Sequence, residues 1–138
     1  MMKILDTDLL IGILRGKKEA VDYAKKLDKE GRQATTVINV FELYYGLYSA
    51  KIPLKTRMKR IKGLESLLSR LDIMILEQSD AKLAAEIAGK LRLIGKPIEI
   101  RDVLIAAIAI NRKLPVVTRN IKHFERIAEI NKSLIIKK

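Results

Sequence analysis

The sequence predicts an α/β fold with a mainly parallel central sheet and helices on both faces of the sheet. Short apolar runs that suit buried strands recur along the chain and alternate with longer stretches of helical periodicity. One of these stretches, VLIAAIAI, is apolar on nearly every side and predicts a helix buried in the core. No linker, composition shift or internal repeat divides the 138 residues, so we expect a single domain over residues 1–138.

The first three elements follow from the N-terminal residues. Residues 2–5 are a short apolar run that suits a buried strand. Thr7 or Asp8 can cap a helix that follows this strand, and Gly16 can end it. Residues 17–29 separate apolar from basic side chains at helical spacing, which predicts a helix at the surface.

The next three elements complete the first half of the chain. Residues 33–35 predict a second strand, after which Thr36 can cap a helix that runs to about Ala50. Residues 54–71 predict the most clearly amphipathic helix, with a basic face opposite its apolar stripe. The stripe consists of Leu54, Met58, Ile61, Leu64, Leu68 and Leu71. We expect core burial for this stripe, with an interface role for part of it as the alternative.

The second half of the chain predicts three strands and two helices. Residues 73–76 alternate too little for a half-exposed strand and predict a buried one. Ser79 can cap a helix that ends near Gly95, and residues 102–111 form the apolar helix. The remaining predicted strands are residues 115–118 and 134–136.

The charge balance of the chain is strongly basic. It has 28 Lys and Arg residues against 16 Asp and Glu residues, which leaves a formal net charge of +12. This excess predicts a polyanionic partner, either nucleic acid or an acidic protein, although lysines that only keep the surface soluble are an alternative. Because hydrophobic residues make up 49% of the chain, it can build a core, which excludes an intrinsically disordered protein.

The residue types that are absent exclude several chemistries. The chain has no cysteine and one histidine, His123, which excludes disulfides, thiolate zinc sites, cysteine nucleophiles and histidine-rich metal sites. Carboxylates must therefore hold any metal, and oxygen ligands suit Mg²⁺ or Mn²⁺. Asp6 and Asp8 interrupt the apolar N-terminal segment, and no apolar run is long enough for a membrane span. We therefore expect no secretory signal, no membrane partner and a cytoplasmic protein.

Three acidic residues lie in apolar surroundings. Asp6 directly follows the first strand, Glu42 lies within the helical segment VINVFELYYG, and Asp102 begins the apolar helix. An unpaired buried carboxylate is costly, so each needs a cation, hydrogen-bond donors or a metal. Ligands of open parallel sheets bind beyond the carboxyl ends of the strands. Asp6, Glu42, Asp102, Thr118 and Asn120 are expected at this edge, where the acids can bind a divalent cation.

Each acid also has a structural interpretation that the sequence leaves open. Asp6 and Asp102 can cap the helices that follow them, and Asp8 is also typical of capping. Glu42 gains nothing from capping in the middle of a helix, but it can pair with a nearby lysine. Glu99 is either a solvated loop residue or an outer member of the acidic group. The spacing alone favours a metal site without requiring one.

Four motifs occur in order along nearly the whole chain. They are ILDTDLLIGILRG, TTVINVFELYYG, IRDVLIAAIAI and LPVVTRNIKHF, of which the last two are the most specific. With these motifs the sequence resembles the PIN-domain ribonucleases, and within them the VapC-type toxins of toxin–antitoxin pairs.

The resemblance implies a three-layer, Rossmann-like PIN domain that hydrolyses RNA phosphodiester bonds with Mg²⁺ or Mn²⁺. It implies that Asp6, Glu42 and Asp102 are catalytic and hold the metal. It also implies that Thr118 and Asn120 orient water or the scissile phosphate. Asn120 stands where many members have a fourth aspartate, which puts a second tightly bound metal in doubt.

The resemblance also implies the partners and the biological role. The partners are RNA, a cognate antitoxin that blocks the site and a second copy of the chain in a homodimer, and the role is a toxin that inhibits translation. Thr7 matches a second hydroxyl position of the family, and His123 is expected to support the site rather than to bind metal. The candidates for binding RNA phosphates are Arg15, Arg119, Lys122 and the basic residues among 55–62.

Two other classes of protein fit less well. A non-catalytic PIN domain that binds RNA or protein is favoured only by Asn120. A phosphatase with an aspartate nucleophile fits the DTD sequence of residues 6–8, but Leu9 replaces the required glycine and no acidic pair follows Thr118. A receiver domain is disfavoured because no aspartate ends the strand at residues 73–76.

Overall fold

The structure is a computed structural model that describes residues 1–137 of the chain, so residue 138 of the expected domain lies outside the described residues. Five strands and seven helices alternate along the described part, as the α/β prediction requires. In chain order they are β1 (Ile4–Leu5), α1 (Thr7–Leu14), α2 (Lys18–Asp28), β2 (Ala34–Thr36), α3 (Val37–Ser49), α4 (Leu54–Leu68), β3 (Asp72–Met74), α5 (Gln78–Leu93), α6 (Ile100–Arg112), β4 (Val116–Val117), α7 (Ile121–Ile130) and β5 (Ile136–Lys137).

The five strands form one sheet in the order β3-β2-β1-β4-β5, and every pair in it is parallel. The chain runs outward from β1 to β3 and then returns to the other side of β1 for β4 and β5. Leu5 of β1 is in register with Val117 of β4. Asp6 and Thr118 therefore leave the sheet side by side at the point where the strand order reverses, which is where open α/β sheets bind ligands.

The side chains of β1 and β4 alternate between two hydrophobic cores. Ile4 and Val116 pack in one core with α5, α6 and α7, whereas Leu5 and Val117 pack in the other core with α1, α2, α3 and α4. Successive residues of a strand point to opposite faces of the sheet, so each face is covered by its own helical layer. The predicted three-layer architecture is confirmed. No helix within residues 1–137 has the length and apolar character of a membrane span.

Three predicted helix starts are wrong by one or more residues. Asp6, rather than Thr7 or Asp8, is the N-cap of α1, and its side chain accepts a hydrogen bond from the backbone of Thr7. The cap of α5 is Glu77 rather than Ser79, and the start of α6 lies two residues before Asp102. Several residues near a helix start can occupy the N-cap position, so a start placed from the sequence commonly differs from the observed one by one or two residues.

Two elements of the second half differ from the prediction. The apolar run at residues 73–76 is an edge strand, Asp72–Met74, and Ile73 and Ile75 are 37% and 60% exposed. It is not buried because only β2 adjoins it. No helix was predicted over Ile121–Ile130, yet α7 forms there and buries Phe124 and Ile127. The apolar residues of α7 recur at helical spacing, so the signal was present in the sequence.

The apolar stripe of α4 is buried in only part of its length. Leu64 is buried in the core, whereas Leu54 and Met58 are 68% and 54% exposed, and Leu71 lies beyond the end of the helix. Core burial is therefore wrong for the N-terminal half of α4. Leu54 and Met58 instead line a separate open depression on α4, together with Lys55, Lys59 and Lys62.

Candidate active site

Asp6 is buried where β1 ends, and both of its carboxylate oxygens accept hydrogen bonds. Oδ1 accepts from the backbone nitrogen of Thr7 (2.8 Å), from Nδ2 of Asn39 (2.9 Å) and from Nη2 of Arg101 (2.9 Å). Oδ2 accepts from Oγ1 of Thr118 (2.7 Å), the first residue after β4. Asp6 is therefore both a helix cap and a member of the acidic group, so its two interpretations are compatible.

Glu42 reaches the same place from α3. Its Oε1 accepts a hydrogen bond from Oγ1 of Thr7 (2.6 Å), and its carboxylate pairs with Arg101 rather than with a lysine. Asn39 lies three residues before Glu42, so the two side chains share one face of the helix. The capping box of Thr36 and Asn39 fixes the first turn of α3 and thereby directs this face toward Asp6.

Asp102 lies in the first turn of α6 and is fully buried. Its Oδ1 pairs with the neighbouring Arg101, and its Oδ2 accepts from Nδ2 of Asn120 (2.8 Å) and contacts Nδ1 of His123 (2.7 Å). His123 thus lies behind a carboxylate of the acidic group. Asn120 presents its amide nitrogen to Asp102, so its interaction with that acid is hydrogen-bond donation.

Arg101 connects the three acids. Its guanidinium pairs with Asp6, Glu42 and Asp102, and its side chain is 22% exposed. Burial works to lower the pKa of Arg101, but the hydrogen bond to Glu42 and the charges of the acids outweigh it and raise the pKa. Arg101 therefore carries a positive charge among the acids.

The acidic group keeps negative charge after these contacts are counted. Three ionised carboxylates meet one guanidinium, and even a protonated His123 leaves them in excess. Burial raises the pKa of Asp102, while the hydrogen bond to His123 and the charge of Arg101 oppose that rise. An all-oxygen donor set with excess negative charge fits Mg²⁺ or Mn²⁺.

The acids do not yet stand in the arrangement of a metal site. Within residues 1–137, no three acidic or histidine side chains are placed so that together they could hold a metal ion. The cation that the acids surround in this structure is the guanidinium of Arg101. The donor chemistry therefore fits a divalent cation, and Arg101 takes the central position.

Every residue predicted for the site reaches this edge of the sheet. Asp6, Glu42, Asp102, Thr118 and Asn120 form one hydrogen-bonded group through Arg101, Thr7, Asn39 and His123. Asn39 and Arg101 are members of the site that were not predicted from the sequence. The available signals were the spacing of three between Asn39 and Glu42 and the position of Arg101 beside Asp102. Glu99, by contrast, is exposed at the N-cap of α6.

An open groove leads away from Glu42. It lies between α1, α3 and α4, has a volume of about 1010 Å³ and has an apolar floor that includes Ile11, Leu43 and Leu47. The basic residues that line it are Arg15, Lys55, Lys59 and Arg60. Arg57 is engaged elsewhere, because its guanidinium donates to the backbone oxygens of Leu47 and Ala50 at the end of α3.

The parallel sheet in this order and the three acids at its switch point agree with the PIN-domain resemblance of the four motifs. The chain belongs to the PIN-domain family, whose model matches residues 3–130. Ribonuclease VapC2 of Haemophilus influenzae is 30% identical to it over 125 residues, which are 90% of each protein. The tRNA(fMet)-specific endonuclease VapC of Shigella flexneri is 27% identical over 124 residues, also 90% of each.

Solved structures agree with this assignment. VapBC2 from Rickettsia felis, bound to a DNA fragment from its promoter, contains a chain with a TM-score of 0.84 and 28% identity. The DNA-bound VapBC from Salmonella typhimurium contains one with a TM-score of 0.82 and 28% identity. Both matches cover 99% of this chain and 98% of the other. The resemblance to VapC ribonucleases that the four motifs indicated is confirmed.

Proposed function

We propose that the protein is a metal-dependent endoribonuclease that hydrolyses RNA phosphodiester bonds as one domain over residues 1–138. The observation that carries the proposal is the convergence of Asp6, Glu42 and Asp102 on one group with excess negative charge, in which Asp6 and Asp102 are buried and Glu42 is partly exposed. Buried carboxylates at a switch point are costly to the fold and are typical of a catalytic centre.

Asp6, Glu42 and Asp102 would hold Mg²⁺ or Mn²⁺. When bound, the cation supplies an acidified water and neutralises charge on the phosphoryl oxygens. A carboxylate of the group or solvent accepts the proton of the attacking water. Thr118 holds Asp6 in position, and Asn120 holds Asp102, so these two residues support the reaction by orienting the acids.

The test is RNA cleavage by the purified protein with Mg²⁺ or Mn²⁺. We expect cleavage that EDTA abolishes and that Asp6→Asn reduces at least about 100-fold, because the substitution removes charge from a buried acid. Asp8→Asn is the matched control, since Asp8 is an exposed acid two residues away, and it should cleave like the parent. Cleavage that survives EDTA or Asp6→Asn would contradict the metal mechanism.

Asn120 favours a second candidate function, that of a non-catalytic PIN domain that binds RNA or protein. Asn120 donates a hydrogen bond to Asp102 and carries no charge, so it brings no fourth carboxylate to the group. The same preparations distinguish the two functions. Tight RNA binding without cleavage at any metal concentration would favour the binding module.

We propose that transfer RNA is the first substrate to test. Relatives named tRNA(fMet)-specific endonucleases match 90% or more of this chain, and their substrate class suits a basic protein. Cleavage of initiator tRNA would inhibit translation, which is the expected role of a toxin in the cytoplasm. Sequencing RNA ends after controlled expression would identify the cleaved RNA, and ends confined to other transcripts would contradict this choice.

We infer that the cognate partner is an antitoxin whose acidic, amphipathic segment lies in the groove between α1, α3 and α4. The structures of VapBC complexes that this chain resembles suggest such a partner. The groove supports it, because an apolar floor bordered by basic side chains complements such a segment and leads to Glu42. Co-expression with the neighbouring reading frame should give a stable complex, and Lys59→Glu should weaken it.

We also propose a homodimer formed through α3. Phe41 and Tyr45 are stacked side by side and are 67% and 63% exposed, and Tyr48 extends the same exposed surface. Exposed aromatic patches of this kind mark interaction sites. Light scattering should give twice the chain mass, and Tyr45→Lys should give the monomer mass. A monomeric parent at micromolar concentration would contradict this proposal.

A further inference from the structure

Arg101 makes contacts that the proposed function assigns to a metal ion. Its Nη2 lies 2.9 Å from Oδ1 of Asp6, and the same guanidinium pairs with Glu42 and Asp102. A guanidinium is a planar cation whose five N–H donors can reach several carboxylates at once. Arg101 therefore pairs with the same three carboxylates that would bind a divalent cation.

We propose that Arg101 is an intramolecular stand-in for the cation. It pairs with Asp6, Glu42 and Asp102 when no metal is bound, and it must leave them before they can hold one. The apparent metal affinity of the protein then equals the intrinsic affinity of the acids multiplied by the fraction of molecules in which Arg101 has left the site. This inference rests on the proposed function, from which it takes the metal ligands.

The acids keep other hydrogen bonds when Arg101 leaves. Asp6 still accepts from Thr118 and Asn39, and Glu42 still accepts from Thr7. Asp102 likewise keeps its contacts with Asn120 and His123. These hydrogen bonds keep the three carboxylates near one another without Arg101, and their side chains close on the cation once the guanidinium has left.

Arg101 can leave without a change in the fold. It lies in the first turn of α6, where the N-cap Glu99 makes no side-chain hydrogen bond and Ile100 is exposed. Its side chain is partly exposed and has a flexible stem, so rotation about its side-chain bonds suffices to carry the guanidinium into solvent. The alternative is a fixed ion pair that stays in place whether or not metal is bound.

Direct measurement of Mn²⁺ binding distinguishes these alternatives. Calorimetry or the electron paramagnetic resonance of free Mn²⁺ gives the Kd for the parent, for Arg101→Gln and for the control Arg92→Gln. Arg92 is an exposed residue in the last turn of α5, so its loss changes the net charge equally. We expect Arg101→Gln to bind Mn²⁺ at least about tenfold more tightly. The control should match the parent. Equal affinities for the parent and Arg101→Gln, or an equal gain in both variants, would overturn the inference.

A second measurement uses the parent itself and covers the case in which Arg101→Gln does not fold. The Nε atom of Arg101 is buried, so its N–H signal should be observable by NMR, and Arg101→Lys identifies the signal by its loss. Titration with Mg²⁺ should shift or broaden this signal with the same Kd as metal binding. An unchanged signal while Mg²⁺ binds would show a fixed ion pair and overturn the inference.

RNA cleavage in the same preparations separates the inference from the proposed function. A parent that binds Mn²⁺ but leaves RNA intact contradicts the ribonuclease, while tighter binding by Arg101→Gln still supports Arg101 as the stand-in. A parent that cleaves RNA, with unchanged Mn²⁺ affinity in Arg101→Gln, overturns the inference alone. Failure of both the folded parent and the folded variant to bind Mn²⁺ also overturns it.

Discussion

Single residues of this protein carry more than one structural role, and Asn39 is the clearest case. It is fully buried, completes the capping box of α3 and donates Nδ2 to both Asp6 (2.9 Å) and Thr7 (3.0 Å). A buried polar side chain is tolerated only when its hydrogen bonds are made. Asn39 therefore couples the fold of α3 to the position of the acidic group.

Asn39→Ala should damage both stability and activity. It leaves the backbone N–H and the hydroxyl of Thr36 without the acceptor Asn39 and removes one of three hydrogen bonds to Oδ1 of Asp6. We expect the unfolding free energy to fall by about 1–3 kcal/mol and RNA cleavage to fall at least about tenfold. Urea unfolding and the cleavage assay measure the two effects. Asn131→Ala removes an exposed turn hydrogen bond to Ser133 and should change neither by much. An Asn39→Ala protein with parental activity would show that the acids need no such support.

Asp80 is a buried acid outside the active site. Its Oδ1 accepts from Nδ2 of Asn111 (2.7 Å) and Nη1 of Arg112 (2.8 Å), which ties α5 to α6. Burial works to raise the pKa of Asp80, but the hydrogen bonds from Arg112, from the backbone of Glu77 and from Asn111 outweigh it and hold the pKa below 3.8. The folded protein therefore binds this proton less readily than the unfolded chain.

This difference in proton binding between the folded and unfolded states predicts how the contribution of Asp80 to stability changes with pH. Its contribution is fully present above the unfolded pKa near 3.8 and is lost as the pH falls through the lower folded pKa. Asp80→Asn should lower the unfolding free energy at pH 7 by about 2 kcal/mol, and the difference should shrink toward pH 3. Urea unfolding at both pH values measures it, with the exposed Glu86→Gln as control. A difference of equal size at both pH values would contradict the assigned pKa.

At the scale of elements, helix packing depends on close approach at one glycine. Gly12 of α1 is buried against α2, and a Cβ added to it would lie 2.8 Å from the Cβ of Ala20. Neither α1 nor Ala20 has a flexible atom that can yield there, so the two helices would have to separate. The α1–α2 pair bears on the site, because the first residue of α1 positions Glu42.

Gly12→Ala should destabilise the protein although alanine favours helices. We expect a loss of about 1–3 kcal/mol from the steric clash. Gly89→Ala is the matched control, since Gly89 lies inside α5 with no atom within 4 Å of its added Cβ. It should gain about 0.5–1 kcal/mol from helix propensity alone. Changes of opposite sign for the two variants in thermal or urea unfolding would support the packing, and a stabilised Gly12→Ala would contradict it.

At the scale of the whole molecule, charge is divided between surface and site. The chain has a net charge of +12, yet the edge of the sheet beside β1 and β4 collects three carboxylates around one arginine. Basic side chains spread over the surface attract a polyanion through its phosphates, whereas the acids attract a cation. The net charge therefore indicates which molecules the surface attracts, and it says nothing about the charge of the active site.

This division predicts a strong salt dependence of RNA binding. For single-stranded RNA and the non-cleaving Asp6→Asn protein, the logarithm of affinity should fall linearly with the logarithm of salt concentration. Lys122→Gln, close in sequence to the site, should reduce the slope by about 0.7 if one phosphate contact is lost. Lys25→Gln on the exposed face of α2 is the control and should leave the slope unchanged. Salt-independent binding, measured by fluorescence anisotropy, would contradict a phosphate-dominated surface.

The sequence by itself determined the fold class and the acids of the site. Hydrophobic periodicity encodes strands and helices locally, and the rule that ligands bind beyond parallel strand ends placed Asp6 and Thr118 together. Tertiary structure alone decided that β3 is an exposed edge strand and that half of the α4 stripe is exposed.

Tertiary structure also decided what surrounds the acids. Arg101 meets Glu42 across 59 positions of the chain, and Asn39 meets Asp6 across 33. Such contacts depend on how α3 and α6 pack against the sheet, which no local pattern encodes. The sequence therefore identified the carboxylates that would hold a cation. Only the packing of the chain placed the guanidinium of Arg101 among these carboxylates.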